Sequence, residues 1–156
     1  MAIEKVRDHF AQWDIQNRIQ ELNESSATVE LAAQALGCEP ERIAKTLSFV
    51  IDDETMLVVA AGDAKIDNAK FKSTFGVKAK MVAKEEVEDR IGHDVGGVCP
   101  FGVNEDVTIY LDESLKRFLT VFPACGSSNS AIELTLAELE AYTPFEKWVD
   151  VCKGWE

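Results

Sequence analysis

Apolar residues recur along this chain at two spacings, which predict different elements. Near the start, every third or fourth residue is apolar, and we predict an amphipathic helix carrying Ile3, Val6, Phe10 and Trp13. Later runs of β-branched and apolar residues are typical of strands. Two further helices are predicted between capping residues, at 29–36 between Thr28 and Gly37 and at 68–75 between Asp67 and Gly76. A short helix or turn is predicted at Pro40, and another helix at 84–91. The last two helices are predicted to follow the capping residues Thr135 and Thr143, and Trp148 and Trp155 are expected to pack the final one.

The predicted strands outnumber the helices and mostly follow one another. Two runs, 46–51 and 56–61, flank three acidic residues and are typical of an antiparallel hairpin. Other strands are predicted at 18–22, 77–82, 107–111, 118–121 and 131–134. This order predicts an α+β fold with a curved, barrel-like sheet, mixed or mostly antiparallel, and helices packed outside it. The 156 residues, with no internal boundary, are expected to form one domain, 1–156.

The composition is that of a soluble globular protein, with 46% hydrophobic and 28% charged residues. No apolar stretch reaches the roughly 18 residues of a membrane span. The first residues also lack the apolar core of a signal peptide. We therefore expect a cytoplasmic protein without a membrane partner.

The net charge of −12 argues against a protein that coats DNA or RNA, because it repels nucleic acid at long range. The charge is unevenly distributed, however. Residues 64–84 contain six lysines and one aspartate, a local charge of +5. Either this segment orients a polyanion or it is a solvated surface.

The four cysteines, Cys38, Cys99, Cys125 and Cys152, are widely spread along the chain. None forms a C-x-x-C pair, so neither a zinc site nor a disulfide framework is indicated. We expect four free thiols, with no metal and no cofactor.

Glycines concentrate in one segment, Gly92-His-Asp-Val-Gly-Gly-Val-Cys-Pro-Phe-Gly102, which holds four of the chain's nine. Glycine removes the side chain where a backbone bends or touches a ligand, and Pro100 fixes its own φ. The pattern predicts a stiff loop that offers backbone N–H donors. An ordinary surface turn is the alternative.

Two other features suggest a binding site. The segment 122–130 contains Gly126, Ser127, Ser128 and Asn129, which either bind a polar ligand or form a turn. Lys45 precedes a strand that looks buried. A lysine in that place usually extends its amine to water, yet it is also suited to binding a phosphate.

Together these segments resemble the YbaK/prolyl-tRNA-synthetase-associated editing domain, a family of aminoacyl-tRNA deacylases. The resemblance runs in order from about residue 25 to residue 142. The matching segments are Ser26-Ala-Thr-Val-Glu-Leu-Ala-Ala-Gln-Ala-Leu-Gly37, Arg42-Ile-Ala-Lys-Thr-Leu47, Gly62-Asp-Ala-Lys-Ile-Asp-Asn-Ala-Lys-Phe71, the glycine-rich segment 92–102, and Gly126-Ser-Ser-Asn-Ser130.

The resemblance implies a free-standing domain that hydrolyses the ester of a mischarged tRNA. It implies that Lys45 lies near the phosphate of the terminal adenosine and that Gly96 to Pro100 line the aminoacyl pocket. The implied partners are the 3′ acceptor end of a tRNA and a prolyl-tRNA synthetase. Alanine and cysteine on prolyl-tRNA are familiar substrates of the family.

Ester hydrolysis requires an aligned water and donors for the oxyanion, which backbone N–H groups can supply without a nucleophilic side chain. We assign the catalytic roles to Lys45, Gly96 and Gly97. The residues expected to contact substrate are His93, Val98, Cys99, Pro100, Phe101, Gly126, Ser127, Ser128 and Asn129. Rejection by size favours alanine as the residue removed, with cysteine and serine next.

Three other interpretations remain open at this stage. Cys99 is a possible nucleophile with His93 as its base, although no nearby cation that would lower the thiol pKa is evident. A non-catalytic module that binds a tRNA acceptor end or an amino acid would need the same pocket. A pure interaction scaffold accounts poorly for these segments, and the sequence does not indicate an oligomeric state.

Overall fold

The computed structural model describes residues 2–155. Its helices are α1 Ala2–Ala11, α2 Val29–Leu36, α3 Asn68–Phe75, α4 Val87–Ile91 and α5 Leu136–Tyr142. Its strands are β1 Gln20–Glu21, β2 Ile43–Ile51, β3 Glu54–Ala61, β4 Lys65–Ile66, β5 Thr108–Asp112, β6 Thr120–Pro123, β7 Ser130–Ala131, β8 Leu134–Thr135, β9 Lys147–Val149 and β10 Cys152–Lys153. Within the described residues, no helix is both long and apolar enough to cross a bilayer.

Six strands form a curled half-barrel sheet in the order β8-β6-β2-β3-β5-β9. The pairs β2–β3 and β6–β8 are antiparallel, whereas β2–β6, β3–β5 and β5–β9 are parallel. The sheet is therefore mixed, and the predicted α+β class is confirmed. Two small antiparallel ribbons, β1–β7 and β4–β10, flank this sheet.

The β2–β3 hairpin is the centre of the sheet, as the sequence predicts. Asp52 and Asp53 form its two-residue loop, with φ values of 51° and 65°. Positive φ at both positions is the signature of the hairpin turn that matches the twist of the flanking strands. Seven of the eight residues of β3 are buried, so this strand forms the floor of the hydrophobic core.

Helices cover the sheet through aromatic side chains. Phe71 of α3 packs against Phe49 of β2, with 4.9 Å between ring centroids. Phe10 of α1 packs on Phe101 at 4.6 Å, which places α1 over the glycine-rich segment. The predicted caps of α2 are confirmed, since Thr28 accepts a hydrogen bond from the N–H of Leu31 and Gly37 is left-handed at φ 69°.

Three sequence predictions are wrong in detail. Residues 77–82 do not form a full strand, because only Met81 bridges to β2. The predicted strand at 131–134 is divided between β7 and β8. No helix follows Thr143; the N–H of Glu146 bonds to the carbonyl of Ile109, and the chain continues as β9, which contains Trp148. Tertiary strand pairing overrides the local capping signal there.

Candidate functional site

Strand β2 has two unlike edges. On one, the ladder to β3 is continuous from Ala44 to Ile51. On the other, β2 pairs with β6 at Ile43 and Ala44 and then bridges to Met81 at Phe49. The ladder on this second edge is interrupted at residues 45–47. We call these the paired edge and the open edge of β2.

The peptide groups of Thr46 point to the open edge. Ser48 O accepts a hydrogen bond from Val82 N at 3.1 Å, and Val50 N donates to Lys80 O at 2.9 Å. Backbone hydrogen-bonding groups alternate in direction along a strand, so the N–H and C=O of Thr46 face the same way as those of Ser48 and Val50. They lie between two pairings, without a strand opposite them.

A cavity of about 420 Å³ lies at the open edge. Successive side chains of a strand point to opposite faces of the sheet. Lys45 and Thr46, whose side chains point to opposite faces, both line the cavity at this edge. Its lining residues are Ser26, Ala27, Thr28, Val29, Ala32, Ile43, Ala44, Lys45, Thr46, Ser48, Met81, Val82, Lys84, Val87, Val95, Gly96, Val98, Phe122, Ala124, Ser130 and Ala131.

Lys45 is a partly desolvated cation in this cavity. Its Nζ donates to the carbonyl of Gly62 at 3.3 Å. Burial lowers the pKa of the Lys45 amine, while the carboxylates of Asp63 and Glu30 oppose that shift. A bound anion would stabilise the charged form further, because it would replace the lost solvation.

The glycine-rich segment forms one wall. Gly96 lines the cavity in a left-handed conformation, at φ 95°. At Gly97, a Cβ atom would lie only 2.6 Å from the backbone of Gly126 and Ser127. The two glycine-containing segments are therefore in direct backbone contact. The Gly97 N–H donates to Asp94 O at 3.0 Å, which corrects the expectation that it is a free oxyanion donor.

The serine-rich segment supports the site rather than lining it, apart from Ser130. Ser128 O accepts from Ser26 N, and Asn129 O accepts from Leu22 N, both at 2.6 Å. Ser127 Oγ bonds to Ser130 Oγ at 2.6 Å. These bonds fix residues 22–26 beside the cavity.

Most of the other predicted contact residues lie outside the cavity lining. His93, Cys99, Pro100, Phe101 and Gly126 are buried, whereas Ser127 is partly exposed and Ser128 and Asn129 are exposed. None of these eight residues lines the cavity, contrary to the expectation that they contact substrate there. Of the predicted set, Lys45, Gly96 and Val98 meet there.

Cys99 Sγ lies 3.5 Å from His93 Nε2, but this nitrogen does not act as a base toward the thiol. The carbonyl of Phe101 accepts from His93 Nε2 at 2.7 Å, which fixes the proton on that nitrogen. Burial raises the pKa of the Cys99 thiol to about 12. The thiolate is the nucleophilic form, so this cysteine is inert near neutral pH. Cys99 stabilises the loop interior instead.

The sequence reasoning missed the hydroxyls of the cavity wall. Within residues 2–155, Ser26 Oγ and Thr46 Oγ1 are buried without a hydrogen-bond partner, and both residues line the cavity. A buried polar atom without a partner is costly, unless a ligand or water provides one. For Thr46, the available signal was a polar residue at the start of a predicted strand that looks apolar. The structure places no group of three or more potential metal ligands together among these residues.

A model of the aminoacyl-tRNA editing domain matches residues 23–142, most of the chain. The chain belongs to this editing-domain family. The predicted resemblance is therefore confirmed, over almost the same range as the matching segments.

Relatives of the editing-domain family match at different lengths. "Uncharacterized protein YwhH" of Bacillus subtilis (strain 168) is 56% identical over 157 residues, 100% of both chains. A "Proline--tRNA ligase" of Geobacillus sp. (strain WCH70) is 32% identical over 103 residues, 65% of this chain but only 18% of the ligase. A crystal structure described as a "putative trans-editing enzyme for prolyl tRNA synthetase" is 30% identical, covers 98% of each chain and superposes with a TM-score of 0.87.

Proposed function

We propose that this protein is a free-standing aminoacyl-tRNA deacylase. It hydrolyses the ester between a wrong amino acid and the 3′-terminal ribose of a tRNA. The main support for this proposal is the cavity at the open edge of β2. A partly desolvated lysine, the backbone of β2 and the backbone of the glycine-rich segment all line it. Family membership and the trans-editing description of a relative with full-length similarity support the same function.

Lys45 binds the 5′ phosphate of the terminal adenosine in this proposal. Its amine is half-buried and has one backbone acceptor, Gly62 O, so it retains donors for an anion. The exposed apolar side chains of Met81 and Val95 lie at the cavity and offer a surface for the adenine. These contacts position the ester over the open edge.

Backbone N–H groups then polarise the ester carbonyl. We assign this role to Gly96 and Thr46, because both line the cavity and the Thr46 peptide has no strand opposite it. One such donor is typically worth a factor of about 10²–10³ in rate. The unpartnered hydroxyls of Ser26 and Thr46 hold the attacking water or the substrate's ammonium group.

The chemical step needs no side-chain nucleophile. Within the described residues, the cavity lining contains no aspartate, glutamate, histidine or cysteine that could act as a nucleophile or base. Water attacks the carbonyl carbon, helped by the ribose 2′-hydroxyl. The bond from the carbonyl carbon to the ribose 3′-oxygen then breaks, and that oxygen takes the proton. The products are a free amino acid and a tRNA with a free 3′-hydroxyl.

The cavity wall favours a small amino acid. Ala44, Ala124 and Ala131 line it together with several valines, which leaves room for a short side chain beside the nucleoside. A pocket of this kind rejects larger residues by size, whereas affinity separates one methylene by only about 1–3 kcal/mol. We propose alanine on tRNA(Pro) as the substrate, then cysteine and serine, with the reaction in the cytoplasm beside a prolyl-tRNA synthetase.

The test is a deacylation panel with purified protein on tRNA(Pro) carrying alanine, cysteine, serine or proline. We expect alanine to be released fastest and proline slowest. Lys45→Met keeps the length of the side chain and removes the charge; it should lower kcat/KM about 100-fold or more with an unchanged fold by circular dichroism. Lys147→Met, on the far edge strand β9, is the matched control and should behave as wild type.

Two outcomes would contradict the proposal. Saturable binding of charged tRNA with no loss of ester would identify a non-catalytic binding module. Wild-type turnover in Lys45→Met would remove the phosphate contact from the mechanism.

A further inference from the structure

Three lysines follow the cavity outward along one segment of this acidic chain. Lys84 lines the cavity, and Lys80 and Lys78 precede it in the segment that bridges to β2. We call these three residues the lysine edge. All three side chains are exposed. The lysine ion pairs found in the described chain are Lys70 with Asp150 and Lys116 with Glu113, so the lysine edge keeps its charge.

Backbone hydrogen bonds place Lys80 beside β2, next to the residues that line the cavity. Val50 N bonds to Lys80 O and Val82 N to Ser48 O, so residues 80–82 are extended along the edge of β2. Side chains two positions apart share a face of extended backbone, and Val82 lines the cavity. Met81 lines the cavity as well, so the exposed Lys80 directly precedes two lining residues, and Lys78 lies two residues earlier in the chain.

The charge along this surface changes from positive at the lysine edge to negative at the start of α4. Residues 77–84 contain three lysines and no acidic residue, whereas Glu85, Glu86 and Glu88 follow directly. Glu86 is held by Arg90 at 3.2 Å, but Glu85 is exposed. A polyanion that starts in the cavity is attracted from Lys84 toward Lys78 and repelled in the direction of α4.

We propose that the lysine edge binds backbone phosphates of the tRNA acceptor stem while the 3′ end occupies the cavity. This inference rests on the proposed function, because that function places an RNA end beside Lys84. It adds a partner surface to the site. It also explains how a chain of net charge −12 holds a polyanion: the contact is local, and the remaining acidic surface repels RNA bound in any other orientation.

The test compares two substrates in the full-length protein. One is alanyl-tRNA(Pro); the other is the alanyl ester of adenosine 5′-monophosphate, which has the terminal phosphate and no stem. The double variant Lys78→Gln/Lys80→Gln should lower kcat/KM about tenfold or more on the tRNA, mainly through KM, and leave the short ester unaffected. Lys72→Gln/Lys147→Gln removes the same charge elsewhere and should match wild type on both.

A second measurement is the salt dependence of tRNA binding. The association constant K of uncharged tRNA is measured by fluorescence anisotropy at several salt concentrations. Each lost phosphate contact should reduce the slope of log K against log salt by about 0.7–0.9, so the double variant should lose about 1.5. If the double variant has the same salt slope for tRNA binding and the same KM for alanyl-tRNA(Pro) as wild type, the proposal is overturned, while the deacylase function remains intact. If wild type hydrolyses neither substrate, the proposed function fails, and the slopes alone decide on the lysine edge.

Discussion

The two edges of β2 differ in their surroundings: one pairs fully with β3, and the other borders the cavity. On the paired edge, β2 meets β3 at eight consecutive positions, and the hairpin carries the core. On the open edge, pairing stops after Ala44 and resumes as a single bridge at Phe49. Buried peptide groups are nearly always hydrogen-bonded, so an interruption within a sheet requires another partner. The candidate site thus lies where β2 has no strand opposite its backbone.

The wall opposite the open edge offers the strongest way to test this contrast. Gly97→Ala would place Cβ 2.6 Å from the backbone of Gly126 and Ser127, which cannot move aside as a side chain can. We expect a loss of about 2–4 kcal/mol in the free energy of unfolding, and loss of deacylation as the wall moves. Urea denaturation and the alanyl-tRNA assay measure the two effects.

Gly96→Ala is the matched control for that prediction. Its added Cβ meets Ala27 Cβ at 3.4 Å and Ser128 Cβ at 3.6 Å, so the cost comes from the positive φ of 95° rather than from a clash. A loss of about 1–2 kcal/mol is expected. Equal stability of the two variants would show that the glycine-containing segments do not depend on close backbone contact.

Two threonines of the β2–β3 hairpin, one at the open edge of β2 and one on β3, give a smaller and more specific test. Thr46 Oγ1 is buried without a partner in the described chain, whereas Thr55 on β3 accepts a hydrogen bond from Arg90 Nη1 at 3.3 Å. Thr46→Val should lower kcat/KM about tenfold, because a substrate or water contact is lost, and should leave stability unchanged or slightly higher. Thr55→Val should do the reverse, with about 1 kcal/mol less stability and normal turnover.

Chemical denaturation and deacylation kinetics on both threonine variants check this prediction together. If Thr46→Val loses stability and keeps its turnover, its hydroxyl belongs to the fold and the open edge has no role in binding.

The sequence predicted the elements with local signals and missed the arrangements that depend on distant partners. Thr28, Gly37, Asp67 and Gly76 cap their helices as expected, because a cap needs only its own turn. Thr143 carried a similar signal, yet the edge of β5 pairs with the residues that follow it. A local sequence pattern cannot predict that a distant strand has an unpaired edge with which these residues can form hydrogen bonds.

The candidate site was predictable to a similar degree. Lys45 and the glycine-rich segment were identifiable from residue type, and both contribute to the cavity. The open edge was not, because it depends on where β6 stops pairing and where Met81 begins. The buried positions of His93 and Cys99 also follow from the packing of α1 over the segment, as Phe10 on Phe101 shows.

The smallest expected effect concerns Cys99, which lies behind the wall of the open edge. Its thiol is fully buried with a pKa of about 12, and the carbonyl of Phe101 lies 3.6 Å from Sγ. A serine hydroxyl can donate to the same carbonyl, so Cys99→Ser should keep turnover within about twofold of wild type. Steady-state deacylation of alanyl-tRNA(Pro) is the measurement, with iodoacetamide treatment of the native wild-type protein as a second one. A rate loss of several hundredfold in both would make the thiol the nucleophile and leave the backbone groups of the open edge with only a binding role.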